Sequence, residues 1–217
     1  MELDPVEIRV LGVLLEKQRT TPDGYPLSLN SLRGGCNQAT NRSPVTDYDE
    51  AAIRAALGSL GRRGLIRSAT EHGARVIKYR QLIDAELELP EAELSILAVL
   101  MLRGAQTPGE LRNRADRLKQ LPDLGAVRAA LETLMERGLA ERLPRSPGQK
   151  EERFQHLLGA GEGVAGDHPD AVTQSGEDGE PGGSGDGGDG LLERIRELEL
   201  RVEALEGRLE GDDSGAD

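Results

Sequence analysis

Apolar residues recur at helical spacing in three segments of the first 63 positions. The first segment begins with the N-cap sequence Asp4-Pro5-Val6-Glu7 and predicts a helix to about residue 18. A second, short helix begins at Ser28 and is expected to end at Gly34-Gly35, because glycine favours helix C-termini. The third helix covers about residues 49–63, and Gly64 follows as the residue that ends it.

Two short apolar runs follow the third helix, at 65–67 and 75–79. A turn at His72-Gly73 joins them, so they read as the two strands of a β-hairpin. Three helices followed by a hairpin form the winged-helix variant of the helix-turn-helix. Residues 1–83 are therefore predicted to be a winged-helix domain.

The same pattern recurs in residues 84–158. Ile53-Arg54-Ala55-Ala56-Leu57 reappears 74 positions later as Val127-Arg128-Ala129-Ala130-Leu131. A repeat of about 75 residues indicates a duplicated domain, because solenoid units are shorter. The predicted fold class is mainly α with small β-hairpins (α+β), in two tandem winged-helix domains. Helices are expected near 91–103, 108–118 and 124–137, before a hairpin whose turn contains Pro147-Gly148.

The end of the chain differs in composition from the rest. Residues 159–190 contain 12 glycines among acidic and serine residues, which predicts a disordered acidic linker. Residues 191–211 carry apolar residues in steps of four and three, which predicts a coiled-coil helix and favours a parallel homodimer. A helix that folds back on the body is the alternative. The predicted dimer seam consists of Leu191, Ile195, Leu198, Val202, Leu205 and Leu209.

The net charge of −12 belongs to this tail. Residues 1–158 contain 23 Lys and Arg against 22 Asp and Glu, a balance of +1, whereas residues 159–217 contain 4 against 17, a balance of −13. The low isoelectric point is thus no guide to the partners of the body.

Cysteine content and apolar run lengths indicate the compartment. Cys36 is the only cysteine, which excludes an intramolecular disulfide and suits a reducing compartment. The longest apolar run, 96–102, is far shorter than the roughly 20 residues that span a bilayer. The N-terminus has no signal-peptide pattern. A cytoplasmic protein without a membrane partner is expected.

Several ordered strings resemble the YceH family of bacterial proteins. They include Leu15-Glu16-Lys17-Gln18, Tyr25-Pro26-Leu27-Ser28, Cys36-Asn37-Gln38 and Asn41-Arg42-Ser43-Pro44-Val45. Residues 102–112 and 147–157 add further matches, so that the resemblance covers about 4–158. It implies two winged-helix domains in a bacterial cytosolic protein, and it implies no activity. The chain departs from the family at Gly34-Gly35, where relatives tend to carry alanine, which concerns only the length of the second helix.

Winged helices usually read DNA with the third helix. Base readout then requires Arg, Lys, Asn or Gln on the outward face of that helix. Neither third helix supplies such a set. The first presents Ala51, Ala55, Gly58 and Arg62, and the second presents Gly125, Ala129, Glu132 and Glu136. A non-enzymatic protein-interaction module or adaptor is therefore the first hypothesis.

A DNA-associated transcriptional regulator, binding double-stranded DNA through wings and basic patches, is the alternative. The candidate nucleic-acid contacts are Arg62, Arg63, Arg75, Lys78, Arg145 and Lys150. A second candidate interaction surface is the polar loop that contains Asn37, Gln38, Asn41 and Arg42. The structural alternative is that these four side chains hold the loop by bonding to its backbone.

Catalytic patterns are weak in this sequence. Cys36 has no neighbouring histidine, and a small buried thiol is the commoner role. His72, His156 and His168 have no metal-ligand spacing. No catalytic residue, metal site or cofactor is predicted.

Overall fold

The computed structural model describes residues 2–69, 76–145 and 151–159. Within these ranges the chain forms seven helices and small antiparallel sheets, so the α+β class predicted from the sequence is confirmed. The elements in chain order are α1 (Pro5–Thr20), β1 (Leu27–Ser28), α2 (Leu29–Asn37), α3 (Glu50–Arg62), β2 (Ile66–Ala69), β3 (Lys78–Gln81), α4 (Ile83–Leu87), α5 (Glu91–Arg103), α6 (Pro108–Ala115), α7 (Leu124–Glu136), β4 (Ala140–Arg142) and β5 (Phe154–His156).

Helix α1 begins where its sequence predicts. Asp4 Oδ1 accepts a hydrogen bond from the Glu7 backbone N–H, and Glu7 Oε2 accepts one from the Asp4 N–H, both at 2.8 Å. These bonds form a capping box, and Pro5 occupies the first turn, where its missing N–H is not needed. The helix continues to Thr20, two residues beyond the predicted end.

Helix α2 does not end at Gly34-Gly35, so that prediction is wrong. The helix continues to Asn37 because Gly35 serves the packing of α2 on α1. A Cβ on Gly35 would lie 2.7 Å from Val13 Cγ1, closer than side chains pack, whereas a Cβ on Gly34 would meet nothing. The contact offsets the cost of about 1 kcal/mol that glycine carries inside a helix.

The first half of the chain contains a three-stranded antiparallel sheet in the order β1-β3-β2. Strands β2 and β3 overlap the two predicted strands. Strand β1 was not predicted, because two residues are too few to show an alternating pattern. The predicted turn at His72-Gly73 lies outside the described residues.

The second half repeats this topology. Helices α5, α6 and α7 coincide with the predicted helices, although α6 ends three residues early. Strands β4 and β5 pair antiparallel, and Gln106 forms an isolated bridge to Phe154 on the other side of β5. The order Gln106-β5-β4 thus repeats β1-β3-β2. The predicted turn at Pro147-Gly148 lies outside the described residues, and α4, which connects the halves, was not predicted.

Helices α1 and α5 form the centre of the core and join the two halves. Leu11 and Leu14 of α1 and Leu97 of α5 are fully buried. A Cβ on Gly12 would lie 2.9 Å from Leu102 Cδ2, so this glycine permits the close approach of the two helices. Buried side chains of both halves therefore form a single hydrophobic cluster. The predicted linker beyond Gly159 and the predicted coiled coil lie outside the described residues.

Candidate interaction site

The outward faces of α3 and α7 are exposed, as the sequence predicts. The exposed residues on α3 include Ala51, Ala55, Gly58 and Arg62, beside Glu50, Arg54 and Gly61. Those on α7 include Gly125, Ala129, Glu132 and Glu136, beside Leu124 and Arg128. The middle of the α3 face, at Ala55 and Gly58, carries no hydrogen-bonding side chain, and the neighbouring Arg54 is exposed and pairs with Glu50. The face of α7 is acidic along its second half.

The acidic residues at the start of α3 serve the helix itself. Asp49 Oδ1 accepts a hydrogen bond from the Ala52 backbone N–H at 2.7 Å and so caps the helix. The Glu50 carboxylate lies 2.7 Å from the Arg54 guanidinium, one turn along the helix. Both interactions are local, which explains these acidic residues without any ligand.

The three-stranded sheet has a basic outer face. Arg67 of β2 lies directly opposite Arg80 of β3, and both side chains are exposed. Lys78 lies on the same face of β3, because alternate residues of a strand share a face. Within the described residues, none of the three is within ion-pair distance of a carboxylate. Like charges placed opposite one another on neighbouring strands destabilise a sheet. An external anion would relieve this repulsion.

The other predicted nucleic-acid contacts are dispersed. Arg62 is exposed at the C-terminal end of α3. Arg63 lies 3.9 Å from the buried Glu7 carboxylate, and Arg145 lies 3.4 Å from Glu152, so both have acidic neighbours. Two predicted contacts fall outside the described residues: Arg75 and Lys150.

The polar loop after α2 uses its side chains to bind its own backbone. Asn37 Nδ2 donates to the Tyr48 carbonyl, and Asn37 Oδ1 accepts from the Tyr48 N–H, both at 2.8 Å. Gln38 Nε2 donates to the Thr40 carbonyl at 2.7 Å. Asn41 adopts a positive φ of 60° and accepts a hydrogen bond from Arg103 of the second half. These three side chains are half-buried.

Arg42, the fourth candidate in this loop, is buried and faces Glu16 of α1. Its two terminal nitrogens donate to the Glu16 carboxylate at 2.6 and 3.3 Å. The same carboxylate accepts a hydrogen bond of 2.9 Å from Arg117, which follows α6. Glu16 is only 2% exposed and Arg42 is fully buried, whereas Arg117 is 47% exposed, so this charge network runs from the interior to the surface and connects the loop to both halves. Sequence reasoning missed Glu16, although a carboxylate directly after Leu14-Leu15 on an apolar helix is a usable signal.

A cavity of about 450 Å³ lies between the N-terminal end of α1, the loop after α2 and the β4–β5 hairpin. Arg9 lines it and is 4% exposed. Its guanidinium donates to the carbonyls of Pro44 at 2.7 Å and Cys36 at 3.0 Å. Burial lowers the pKa of Arg9. The cavity has the volume of a small-molecule site, and its walls are largely apolar.

Burial shifts the pKa of two side chains that could take part in chemistry, Cys36 and His156. Burial raises the pKa of the Cys36 thiol to about 12, so the thiolate that a nucleophile requires does not form near neutral pH. Burial also lowers the pKa of His156, which lines the cavity, to about 4, so its imidazole is neutral at pH 7. Among the described residues there is no group of three or more His, Cys, Asp or Glu side chains that could hold a metal ion.

None of the helices in the described ranges combines the length and the apolar character that crossing a membrane requires.

The fold and these sites define a mixed α+β protein with two halves of like topology, joined by a shared hydrophobic core. Residues 3–149 match a family described as "Protein of unknown function, DUF480". A UPF0502 protein of Azoarcus sp. (strain BH72) is 51% identical over 165 residues, which cover 75% of this chain and 73% of the relative. A UPF0502 protein of Geotalea uraniireducens (strain Rf4) is 53% identical over 164 residues, covering 75% and 74%.

A UPF0502 protein of Cronobacter sakazakii (strain ATCC BAA-894) is 41% identical over 216 residues, covering 96% of this chain and 95% of the relative. The chain belongs to this bacterial UPF0502 family. Because YceH is the name of the UPF0502 family in E. coli, the resemblance drawn from the sequence is confirmed.

Proposed function

We propose that this chain is a non-enzymatic tandem winged-helix protein that binds another protein through the outward faces of α3 and α7. The winged-helix assignment is supported by strand order. Three helices with a sheet in the order β1-β3-β2 have the connectivity of that fold, and the Gln106-β5-β4 arrangement repeats it in the second half. A fold by itself implies no function, so the surfaces of this protein distinguish the possible roles.

The observation that carries the proposal is the composition of these two exposed faces. Direct readout of bases needs side chains that donate or accept in pairs, such as Arg to guanine or Asn to adenine. Ala55 and Gly58 at the middle of α3 cannot do this, and Glu132 and Glu136 on α7 would repel phosphates. The short side chains of alanine and glycine instead allow the surface of another protein to approach the helix backbone closely.

An apolar residue marks the edge of the second face. Leu124, the first residue of α7, is 42% exposed and precedes Gly125 on the same helix. Exposed apolar area beside charged residues is typical of protein interfaces, with their apolar centre and polar rim. The Cys36 thiol stays protonated near neutral pH, which supports a binding role over nucleophilic catalysis.

The remaining parts of the proposal come from the sequence. The heptad seam between Leu191 and Leu209 would make the protein a homodimer, so that four winged helices would be presented together. Such an adaptor would act in the bacterial cytoplasm.

Capture from an extract of the bacterium that encodes this chain tests the proposal. Ala55→Arg and Ala129→Arg place a long cation at the centre of each face, and Ala85→Arg, at an exposed position of α4, is the matched control. After nuclease treatment, we expect one protein to be retained by the wild type and by Ala85→Arg. That protein should be lost with Ala55→Arg or Ala129→Arg. Equal retention of that protein by all four chains, or its loss from the wild type on nuclease treatment, would contradict the proposal.

A second candidate function is supported by the basic face of the sheet. Arg67, Lys78 and Arg80 could bind the phosphate backbone of double-stranded DNA without base readout. Each phosphate neutralised releases a counterion, so the affinity should fall steeply with salt. Fluorescence anisotropy with a labelled duplex at two salt concentrations tests this function. The double variant Arg67→Gln, Arg80→Gln should reduce both the affinity and the salt slope, and the absence of binding at low salt would eliminate DNA as a ligand.

A further inference from the structure

Four arginines pair with two glutamates, and a fifth arginine lies between them, where the end of α1 and the loop after α2 meet α5 and α6. Of the five, only Arg42 was predicted to belong to a candidate site, the polar loop after α2, although three of the others follow one another closely in residues 103–117. We call this set the arginine cluster, and its members are Arg42, Arg103, Arg114, Arg117 and Arg153.

Shared carboxylates establish that these side chains are neighbours. Arg42 and Arg117 both bind Glu16, at 2.6 and 2.9 Å. On the other side of the cluster, Arg114 lies 3.4 Å from one oxygen of Glu110, and Arg153 lies 3.3 Å from the other. Each glutamate therefore serves two arginines.

Arg103 connects the two groups and has no carboxylate of its own within the described residues. It donates instead to the neutral side chain of Asn41. Burial lowers the pKa of Arg103, and the nearby charges of Arg114, Arg117 and Arg42 lower it further. Five arginines against two glutamates leave an excess of three positive charges. Lys17, 3.8 Å from Glu16, adds to this excess.

The cluster is open to a ligand on one side. The side chains of Arg114, Arg117 and Arg153 are 28, 47 and 35% exposed, whereas Arg42 is fully buried and fixes the base of the cluster. Guanidinium groups bind phosphate oxygens in pairs, with charge-assisted hydrogen bonds. Carboxylates hold four of the arginines in place, which suits a compact anion better than a long polyanion.

We propose that the arginine cluster is a binding site for the phosphate group of a small phosphorylated molecule. The bound phosphate would supply the missing negative charge beside Arg103 and would contact residues from both halves of the chain. This site is independent of the outward faces of α3 and α7 on which the proposed function depends.

Isothermal titration calorimetry with the full chain tests the site, with inorganic phosphate and adenosine 5′-monophosphate as probes at constant ionic strength. Arg103→Gln and Arg114→Gln should each weaken binding about tenfold or more, because each removes a charge-assisted hydrogen bond. Arg112→Gln is the matched control, since Arg112 lies on the same helix as Arg114 but donates to the Pro122 carbonyl. Its affinity should equal that of the wild type.

The two probes distinguish the sources of the phosphate. Equal affinity means that the phosphate group alone is recognised, and tighter binding of the nucleotide means that the organic part also makes contacts; both outcomes support the site. Two results would overturn it. The first such result is that neither probe binds the wild-type protein saturably, whether or not duplex DNA binds to it. The other is an affinity that Arg103→Gln and Arg114→Gln leave unchanged.

Discussion

Replacing Glu16 by glutamine should destabilise the protein more than any exposed charge substitution. Glu16 is 2% exposed and is the only carboxylate within ion-pair distance of Arg42 in the described part of the chain. The Arg42 side chain is fully buried. Glutamine retains the shape and one acceptor oxygen, but it removes the negative charge. A buried guanidinium is then left without its counter-charge.

The magnitude follows from the surroundings of each partner. Removing one member of a buried pair costs about 3–5 kcal/mol. Arg42 keeps its hydrogen bonds to the carbonyls of Gly35 at 3.0 Å and Asn41 at 2.8 Å, so a loss of about 3 kcal/mol is expected. Arg117 is 47% exposed, and its share is about 0.5 kcal/mol.

Urea unfolding followed by circular dichroism measures this loss. Glu50→Gln is the control, because the Glu50–Arg54 pair on α3 is exposed and should contribute about 0.3–0.5 kcal/mol. The double variant Glu16→Leu, Arg42→Met removes both charges and should recover most of the stability. If Glu16→Gln costs no more than Glu50→Gln, the reasoning about the buried network is refuted.

Three other predictions concern separate parts of the molecule. Gly35→Ala should lower the free energy of unfolding by about 1–3 kcal/mol, because its Cβ would lie 2.7 Å from Val13 Cγ1. Gly34→Ala, which meets open space, should be neutral or stabilising by up to about 1 kcal/mol, and equal urea midpoints would contradict the close packing. Burial lowers the pKa of His156 from 6.5 to about 4, so the unfolded chain binds the proton first and stability should fall as the pH drops from about 6.5 to about 4. The contribution is at most about 3 kcal/mol, measured as the pH dependence of the difference from His156→Gln, and a constant difference would refute it. Leu198→Glu should give a monomer in sedimentation, because it places a charge in the predicted seam, and a wild type that is already monomeric would contradict the predicted dimer.

Local signals predicted much of the fold. The capping box at Asp4 and the glycine with positive φ at position 64 lie within a few residues of the helix ends that they define. Because the second half repeats the sequence pattern of the first, the same signals also predicted α5, α6 and α7. Gly35 was wrongly predicted to end α2, because its role is a contact with Val13 of another helix, and no local sequence pattern contains that contact.

The charged sites were less predictable than the helices. Glu16 and Arg42 are 26 positions apart, and Arg117 reaches the same carboxylate from 101 positions away. Each is an ordinary charged residue in the sequence: Arg42 meets Glu16 only when the first half folds, and Arg117 joins them only when the two halves pack together. The outward faces of α3 and α7 were predictable, because helical periodicity determines which side is exposed once the apolar side is buried.

Photo-crosslinking in living cells tests the central claim most directly. A benzophenone amino acid is placed at Ala55 or Ala129, on the two outward faces, and at Ala85 on α4 as the control. The proposed protein-binding function predicts that Ala55 and Ala129 both yield crosslinks to one and the same protein, that nuclease does not remove these adducts, and that Ala85 yields none. Crosslinks from Ala55 and Ala129 to nucleic acid alone would contradict it.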